Sequence, residues 1–209
     1  MNHKSPPSIK VYGTGEINVM PNQALITIGA VTEGKDLQAI QKENASIINL
    51  MIQQFTTLGI EQSLIQTADY RIEPVYEYRE EMQLLKGYKV SHLLQLTVRE
   101  LDKIGLLIDT AVKSGANNVT DIQFTVENDQ LIYLQALQQA VVEAQTKAFS
   151  LAKQVGAQIH TIPYLIEEEP TNQVYPLGRY KTFAAAESTP IQPGLQTVTA
   201  KVRAEFYYC

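Results

Sequence analysis

The sequence predicts an α+β fold, an antiparallel-rich mixed sheet with three main helices in the order β-β-α-β-β-α-β-α-β-β. Three observations carry this prediction. Apolar residues alternate over residues 9–20, and they recur every three or four positions over residues 35–58. A glycine also follows each of three helical stretches before the next strand pattern begins, at Gly59, Gly115 and Gly156.

The first two strands follow from period-two alternation. Residues 9–20 alternate cleanly, and Pro21 with Asn22 gives a turn signal. A second alternating stretch then carries Ala24, Ile26, Ile28 and Ala30 on its inner face. The inner face of the first strand carries Ile9, Val11, Gly13, Gly15, Ile17 and Val19.

Gly13 and Gly15 form a G-x-G inside the first strand. A phosphate-binding loop would lie between a strand and a helix N-terminus, whereas here a second strand follows. Asn18 also stands where G-x-G-x-x-G requires its third glycine. We therefore interpret both residues as structural glycines that allow another backbone to approach closely.

The first helix is predicted over residues 35–58, with the apolar face Leu37, Ile40, Ile47, Met51, Phe55 and Leu58. Asn44 lies on that face, and we expect its amide to bond nearby backbone. A long hairpin follows, "LIQTADYRIEPVYEY" and "GYKVSHLLQLTVREL", separated by the charged segment "REEMQLLK". Pro74 indicates an edge or a bulge, and we expect His92 to be packed and hydrogen-bonded rather than catalytic.

The second half of the chain continues with a helix at about 102–114, a strand at 119–126 and a long helix at about 130–155. The strand "IHTIPYLIEE" comes next, and a final strand covers residues 195–207. Between these two strands, residues 167–194 break all periodicity, which predicts a long excursion from the core. We predict a flexible tail over residues 1–8 and a single domain over residues 9–209.

The long helix carries a row of alanines at every fourth position. Small side chains in such a row let a helix approach a surface closely. We therefore expect this alanine ridge to lie over a sheet formed by the N- and C-terminal strands, where Gly13 and Gly15 supply matching space. The ridge consists of Ala136, Ala140, Ala144, Ala148 and Ala152.

Composition excludes several classes of partner. The chain has 209 residues, a formal net charge of −5 and a pI of about 5.3, so it lacks the clustered Lys and Arg of a nucleic-acid binder. No apolar run approaches the about 20 residues of a membrane span.

Cys209 is the only cysteine, so no intramolecular disulfide can form. The first residues show no secretory signal, which predicts a cytoplasmic protein as written, or a periplasmic or envelope-associated one if a signal has been removed.

No catalytic or metal-binding motif is visible, so we predict no cofactor and no enzyme. The three histidines, His3, His92 and His160, do not stand at metal-ligand spacings. Glu167, Glu168 and Glu169 form a short carboxylate run, which we interpret as a solvated strand end. The tyrosines near the hairpin could stack on bases, but the acidic balance favours strand-face packing or a protein interface.

In this order, the elements resemble the SIMPL domain family, a bacterial domain of unknown function that also occurs in eukaryotic signalling adaptors. The likeness covers about residues 9–207 and rests on "VYGTGEINVMPNQALITIGAVTEG", "LGIEQSLIQTADYRIEPVYEY", "GYKVSHLLQLTVRELDKIGLLIDTAVKSGANNV" and "AKQVGAQI". The resemblance, which extends to members of periplasmic immunogenic and oxidative-stress-defence type, implies an α+β fold and offers no catalytic residue. It also implies frequent periplasmic or envelope association and, for some members, ring-forming oligomers.

We therefore expect a self-associating, non-enzymatic protein for interaction or scaffolding, linked to envelope or stress physiology. The alternative is a small-ligand-binding module with a pocket between sheet and helices, and a third class is an unrecognised hydrolase. The expected contact surfaces are the hairpin tip around residues 76–88 and the excursion 167–194. The candidate interface residues are Tyr76, Tyr78, Arg79, Tyr88, Tyr175, Arg179 and Tyr180.

Overall fold

Among the residues that the structure describes, seven strands and three helices follow one another in the predicted order. A computed structural model describes residues 6–79, 82–170 and 191–209. The α+β class is confirmed, and two short 3-10 turns precede β3 and α2. The elements are β1 Ser8–Val19, β2 Gln23–Gly34, α1 Leu37–Thr57, β3 Ile65–Arg79, β4 Met82–Val98, α2 Ile104–Lys113, β5 Asn118–Thr125, α3 Asp129–Gln154, β6 Leu165–Glu169 and β7 Gln196–Tyr207.

The described strands form two sheets rather than the one expected, and every pairing among them is antiparallel. One sheet has the order β1-β7-β6 and the other the order β3-β4-β2-β5. The chain divides accordingly into two compact units. The described part of the first unit is residues 6–20, 126–170 and 194–209, and that of the second is residues 21–79, 82–125 and 191–193.

The predicted tail and the predicted excursion overlap observed strands in two places. The tail of residues 1–8 overlaps β1, which begins at Ser8, and residues 1–5 of it lie outside the described part of the chain. β6 continues to Glu169 because it pairs with β7, so the excursion 167–194 starts later than expected. Residues 171–190 of that excursion lie outside the described residues. That residues 9–209 form a single domain stays a prediction.

The first unit is built by laying α3 on the sheet of β1 and β7. Those two strands pair without interruption from Ser8 opposite Tyr207 to Val19 opposite Gln196. The alanine ridge of α3 is fully buried and contacts the inner faces of both strands, as the ridge hypothesis requires. The apolar residues packed with the ridge are Val11, Val198, Ala200, Val202, Ala204 and Phe206.

Gly13 and Gly15 bring the backbones of β1 and α3 into direct contact. A Cβ atom added to Gly13 would overlap the carbonyl oxygen of Ala140 and lie 2.8 Å from the amide nitrogen of Ala144. A Cβ atom added to Gly15 would overlap the carbonyl oxygen of Ala136 in the same way. Neither glycine has the left-handed φ of a turn residue, so each is required for space rather than for backbone freedom.

The second unit packs α1 and α2 on its four-stranded sheet. Asp36 caps α1, because its carboxylate accepts hydrogen bonds from the backbone N–H groups of Gln38 and Ala39. Gly59 and Gly115 follow the two helices with φ of 94° and 104°. The largest fully buried side chains in this core are Ile26, Ile28, Met51, Phe55, Leu94, Leu96, Ile104 and Leu107.

Asn44 is a fully buried polar residue of α1. Its side-chain amide donates to the carbonyl oxygens of Ala30 at 3.0 Å and Val90 at 3.4 Å. These acceptors belong to the adjacent strands β2 and β4, so one side chain fixes α1 over the centre of the sheet. The expectation that Asn44 bonds nearby backbone is confirmed.

We predict that Gly13→Ala lowers the free energy of unfolding by about 3 kcal/mol or more, because the new methyl group cannot fit without separating β1 from α3. Gly194→Ala is the matched control, since no heavy atom lies within 4 Å of a Cβ built there. It should stay within about 1 kcal/mol of the wild type. Urea unfolding followed by circular dichroism measures both changes, and equal stabilities of the two variants would contradict the close approach.

Candidate interaction surfaces

The strands β3 and β4 continue past the end of β2 as a two-stranded ribbon, which we call the arm. The last pair between β2 and β4 joins Gly34 to Tyr88. Residues 75–79 of β3 and 82–87 of β4 stay paired beyond that point and constitute the arm. Within the part of the chain that the structure describes, these residues pair in a sheet only with each other.

The arm exposes apolar side chains on both of its faces. Tyr76 and Leu85 lie opposite each other and are 46% and 52% exposed. Leu84 is 47% exposed, and it points to the other face because neighbouring residues of a strand alternate. We call Tyr76, Leu84 and Leu85 the arm patch. Such a patch, carried by only two strands, is typical of a surface that another molecule covers.

The two leucines were not among the predicted interface residues. The sequence "REEMQLLK" was interpreted as a charged segment between the strands, whereas β4 begins inside it, at Met82. Cross-strand pairing with β3 extends the strand, although the segment lacks a clean alternation. The two consecutive leucines near the end of this charged segment are the sequence feature that could have indicated the exposed apolar surface.

The structure separates the predicted interface residues into three groups. Tyr76, Tyr78 and Arg79 lie at the end of β3, where Tyr78 pairs with Gln83 and Arg79 with Met82. Tyr88 is half-buried at the base of the arm, opposite Pro74. Tyr175, Arg179 and Tyr180 lie outside the described residues. An interface role for these residues stays a prediction.

A pocket of about 250 Å³ lies at the base of the arm. Its walls include Lys35, Lys86 and Tyr88, and it is formed where Gly34 and Gly87 bring two strands close together. A Cβ atom on Gly87 would lie 2.5 Å from the carbonyl oxygen of Gly34, so this position also needs glycine for space. The pocket is bounded by strand residues and Lys35 rather than lying between sheet and helices as the ligand-module alternative expected.

β3 is the edge strand of the four-stranded sheet, and it is irregular near Pro74. The edge indicated by Pro74 is confirmed, whereas the register shift between Val75 and Tyr76 leaves its extra residue, Lys86, on β4 rather than on β3. Proline cannot donate a hydrogen bond and is therefore found on edge strands. Asp69 and Arg71 form an ion pair at 2.8 Å along the exposed part of the same strand.

His92 is held by residues of β3 on the sheet face. Its ring meets that of Tyr70 edge-on, with the centroids 5.0 Å apart, and its Nε2 lies 3.4 Å from the hydroxyl oxygen of Thr67. Gln41 of α1 donates to the Tyr70 hydroxyl at 3.1 Å. His92 is thus packed and hydrogen-bonded as expected, and its partial burial lowers the pKa of the imidazole.

The edge of the other sheet is closed by side chains of α3. The backbone N–H of Thr14 donates to Glu143 Oε2 at 2.5 Å, and Lys147 Nζ donates to the carbonyl oxygen of Tyr12 at 2.9 Å. Glu143 and Lys147 also form an ion pair at 3.1 Å. We call this arrangement the β1 clasp. Sequence analysis missed it, although the i,i+4 spacing of the two charges predicts their pairing with each other.

Hydrogen bonding favours the ionised form of Glu143. The Thr14 N–H contributes most and Lys147 next, and together they lower the pKa of the carboxyl group. The carboxylate is therefore a charged acceptor fixed at the outer edge of β1, where an unpaired strand would otherwise offer that donor to a new chain.

The described residues contain neither a candidate metal cluster nor a candidate membrane-spanning helix. Over residues 6–79, 82–170 and 191–209, no group of three or more His, Cys, Asp or Glu side chains is placed to hold a metal ion. No helix in those ranges is long and apolar enough to cross a membrane. Cys209 is a free, exposed thiol.

Over the described ranges of the chain, two antiparallel sheets, three helices and an exposed hairpin arm define the structural class of this α+β protein. The chain belongs to the SIMPL family, described as a protein of unknown function (DUF541), whose model matches residues 9–206. The resemblance inferred from the order of motifs is thereby confirmed.

Bacterial relatives match nearly the whole chain. The 26 kDa periplasmic immunogenic protein of Brucella melitensis is 27% identical over 211 residues, covering 96% of this chain and 84% of the relative. The uncharacterized protein YggE of Edwardsiella ictaluri is 26% identical, covering 91% of this chain and 80% of its own length. YggE of Escherichia coli K12 is 24% identical, covering 91% and 79%.

We predict that acidification destabilises the second unit partly through His92. The folded protein holds His92 neutral below the ordinary pKa of 6.5, whereas the unfolded chain binds a proton there. The free energy of unfolding should therefore fall as the pH drops from 6.5 towards the lower folded pKa. An NMR titration of the imidazole measures the folded pKa, and urea unfolding of His92→Gln should show a weaker loss over that range. A folded pKa at or above 6.5 would contradict this prediction.

Proposed function

We propose that this protein acts by self-association through the arm, as an interaction or scaffolding protein, and not by catalysis. The observation that carries the proposal is the arm patch, Tyr76, Leu84 and Leu85, each of which is about half exposed. An isolated two-stranded ribbon is marginally stable in water. Covering its apolar faces with protein would stabilise the ribbon and remove apolar surface from solvent.

A second copy of the chain fits the chemistry of the arm. Either apolar face of the arm, that of Tyr76 and Leu85 or that of Leu84, can pack against the same face of a second copy, as an isologous contact requires. The paired strands around it carry both signs of charge, with Lys86 and Lys89 on β4 and Glu73 and Glu77 on β3. Two copies therefore meet without a single-sign field that would repel them.

Side chains rather than continuous strand pairing would form this contact. Pro74 removes a backbone donor from β3, and the register shift at the base of the arm, where Lys86 is an extra residue on β4, interrupts the regular pairing. Both features hinder edge-to-edge extension of the sheet. The contact we propose is therefore packing of the arm patch against a second copy.

The periplasmic Brucella relative supports placing this association in the cell envelope. A link to envelope or stress physiology is part of the same proposal. Cell fractionation of the native gene product, probed with an antibody against the chain, tests this placement. Recovery with cytoplasmic markers would contradict it.

We predict that the wild type is larger than a monomer at micromolar concentration and that Leu84→Asp/Leu85→Asp reduces it towards the monomer mass. Two carboxylates in the arm patch would have to be desolvated in the contact, which costs free energy. Size-exclusion chromatography with light scattering measures the mass. Circular dichroism of the double variant verifies that the fold is retained.

Leu131→Asp is the matched control, because Leu131 is 59% exposed on α3, away from the arm patch along the chain. It should keep the wild-type mass. Deletion of residues 170–192 tests separately whether the excursion contributes to the contact. A strictly monomeric wild type would overturn the proposal, and so would a double variant that keeps the wild-type mass.

A small-ligand-binding module is the second candidate, favoured by the pocket at the base of the arm. Lys35 and Lys86 outnumber the one acidic lining residue, Glu33, and Tyr88 adds an aromatic side chain, a combination suited to a small anion with an apolar part. A thermal-shift screen of aromatic carboxylates tests this candidate, with Lys86→Ala as the control. The ligand-binding candidate predicts a compound that raises the melting temperature of the wild type but not that of Lys86→Ala. A screen that finds no such compound would rule this candidate out.

A further inference from the structure

The β1 clasp shows which backbone groups of β1 point outwards. Thr14 N–H and Tyr12 C=O both bond to α3 side chains beyond the edge of the sheet. In a strand, the N–H and C=O of one residue point to the same side, and this side alternates along the chain. β1 pairs with β7 in an unbroken register, so Glu16 and Asn18 also direct their backbone groups outwards.

The clasp covers only the first part of this edge. Lys147 and Glu143 occupy the outward groups at Tyr12 and Thr14, and no α3 side chain bonds to the backbone of Glu16 or Asn18. Both residues are exposed. Among the described residues, nothing pairs with the outward N–H and C=O groups of Glu16 and Asn18, so an added strand can bond to them, and the clasp fixes where that pairing has to stop.

A groove of about 590 Å³ runs beside this free part of the edge. Thr14 and Ile17 line it on the strand side, and α3 contributes Gln139, Val142 and Glu143. Val142 is 60% exposed, so an apolar surface faces the groove without protein cover. Gln135 and Gln138 also line the helix side, where side-chain amides offer both donors and acceptors.

We propose that the groove binds an extended peptide, which adds as an antiparallel strand to residues 15–19 of β1. An edge strand beside a helix is the arrangement used in β-strand addition, where backbone hydrogen bonds give affinity and alternate side chains give specificity. The available edge groups, the side-chain amides and the exposed Val142 of the adjoining groove match the chemistry of an extended polypeptide. This site is separate from the arm and does not depend on self-association.

The charge of Glu16 and the alternation of side chains along β1 define the class of peptide. Glu16 is exposed and forms no ion pair among the described residues, so a cationic side chain fits opposite it. Gly15 and Ile17 belong to the face that packs towards α3, so the peptide residues opposite them should be apolar and enter the groove near Val142. The preferred peptide therefore alternates apolar and polar residues around a central lysine or arginine.

The probe is the synthetic peptide acetyl-Thr-Thr-Val-Lys-Val-Thr-amide with a fluorophore at its N-terminus. In antiparallel register its lysine stands opposite Glu16 and its valines opposite Ile17 and Gly15. Fluorescence anisotropy with the full chain should give saturable binding. NMR of the labelled chain should show the largest amide shifts over residues 14–19 and 135–143.

Two changes to the peptide separate strand addition from unspecific adhesion. N-methylation of the lysine amide removes the donor directed at β1 and should weaken binding about tenfold. Replacing the lysine by glutamate should weaken binding about fivefold. Glu16→Lys in the protein should reverse that preference, so the glutamate peptide then binds better than the lysine peptide.

Val142→Lys provides a second test within the groove, because a charged side chain there should abolish binding of the original probe. Circular dichroism verifies the fold of both variants. Absence of saturable binding to the folded wild type overturns the proposal, as does equal affinity for the N-methylated peptide. The same measurements in Leu84→Asp/Leu85→Asp should give the wild-type affinity, which keeps this result distinct from any failure of the self-association proposal.

Discussion

The close approach of the β1 backbone to α3 determines the architecture of the first unit. Gly13 and Gly15 leave no room for a Cβ atom, because the carbonyl oxygens of Ala140 and Ala136 occupy that space. At this separation the alanines of the ridge fill the interface completely, and larger side chains in the row would push the helix away. Since β7 pairs with β1 along its whole length, the same contact also joins the two ends of the chain.

The short distance between β1 and α3 makes the hydrogen bonds of the β1 clasp possible. Glu143 and Lys147 stand on the flank of α3 next to the ridge, and they reach Thr14 and Tyr12 only because the helix lies so close to the strand. A helix held farther off would leave the Thr14 N–H unsatisfied or bonded to water. The ion pair between Glu143 and Lys147 is exposed and contributes little stability by itself. Its two side chains close the edge of β1 because each also bonds to the β1 backbone, and the two glycines permit those contacts.

Local patterns predicted much of the fold. The alternation around Gly13, the alanine ridge and the glycines at 59 and 115 all appear in structure as expected, because each depends on the geometry of a few consecutive residues. The division into two sheets could not be read from such patterns, since it depends on β1 pairing with β7 from the other end of the chain. The candidate interaction surfaces were likewise predicted only in part. The hairpin was visible, whereas the exposed leucines of the arm and the contact of Glu143 with Thr14 arise only from pairing and packing.

The edges of the two sheets are protected differently, and this explains why the arm is the better candidate for self-association. β1 is closed at Tyr12 and Thr14 by charged side chains, and β6, at the opposite edge of its sheet, has only five residues. β3 carries Pro74 and the ion pair of Asp69 with Arg71 along its own edge. Proteins use such devices to prevent unwanted strand pairing. Among the described residues, the apolar side chains of the arm patch remain about half exposed, and the unclasped part of β1 keeps outward backbone groups with which a strand can pair in a defined register.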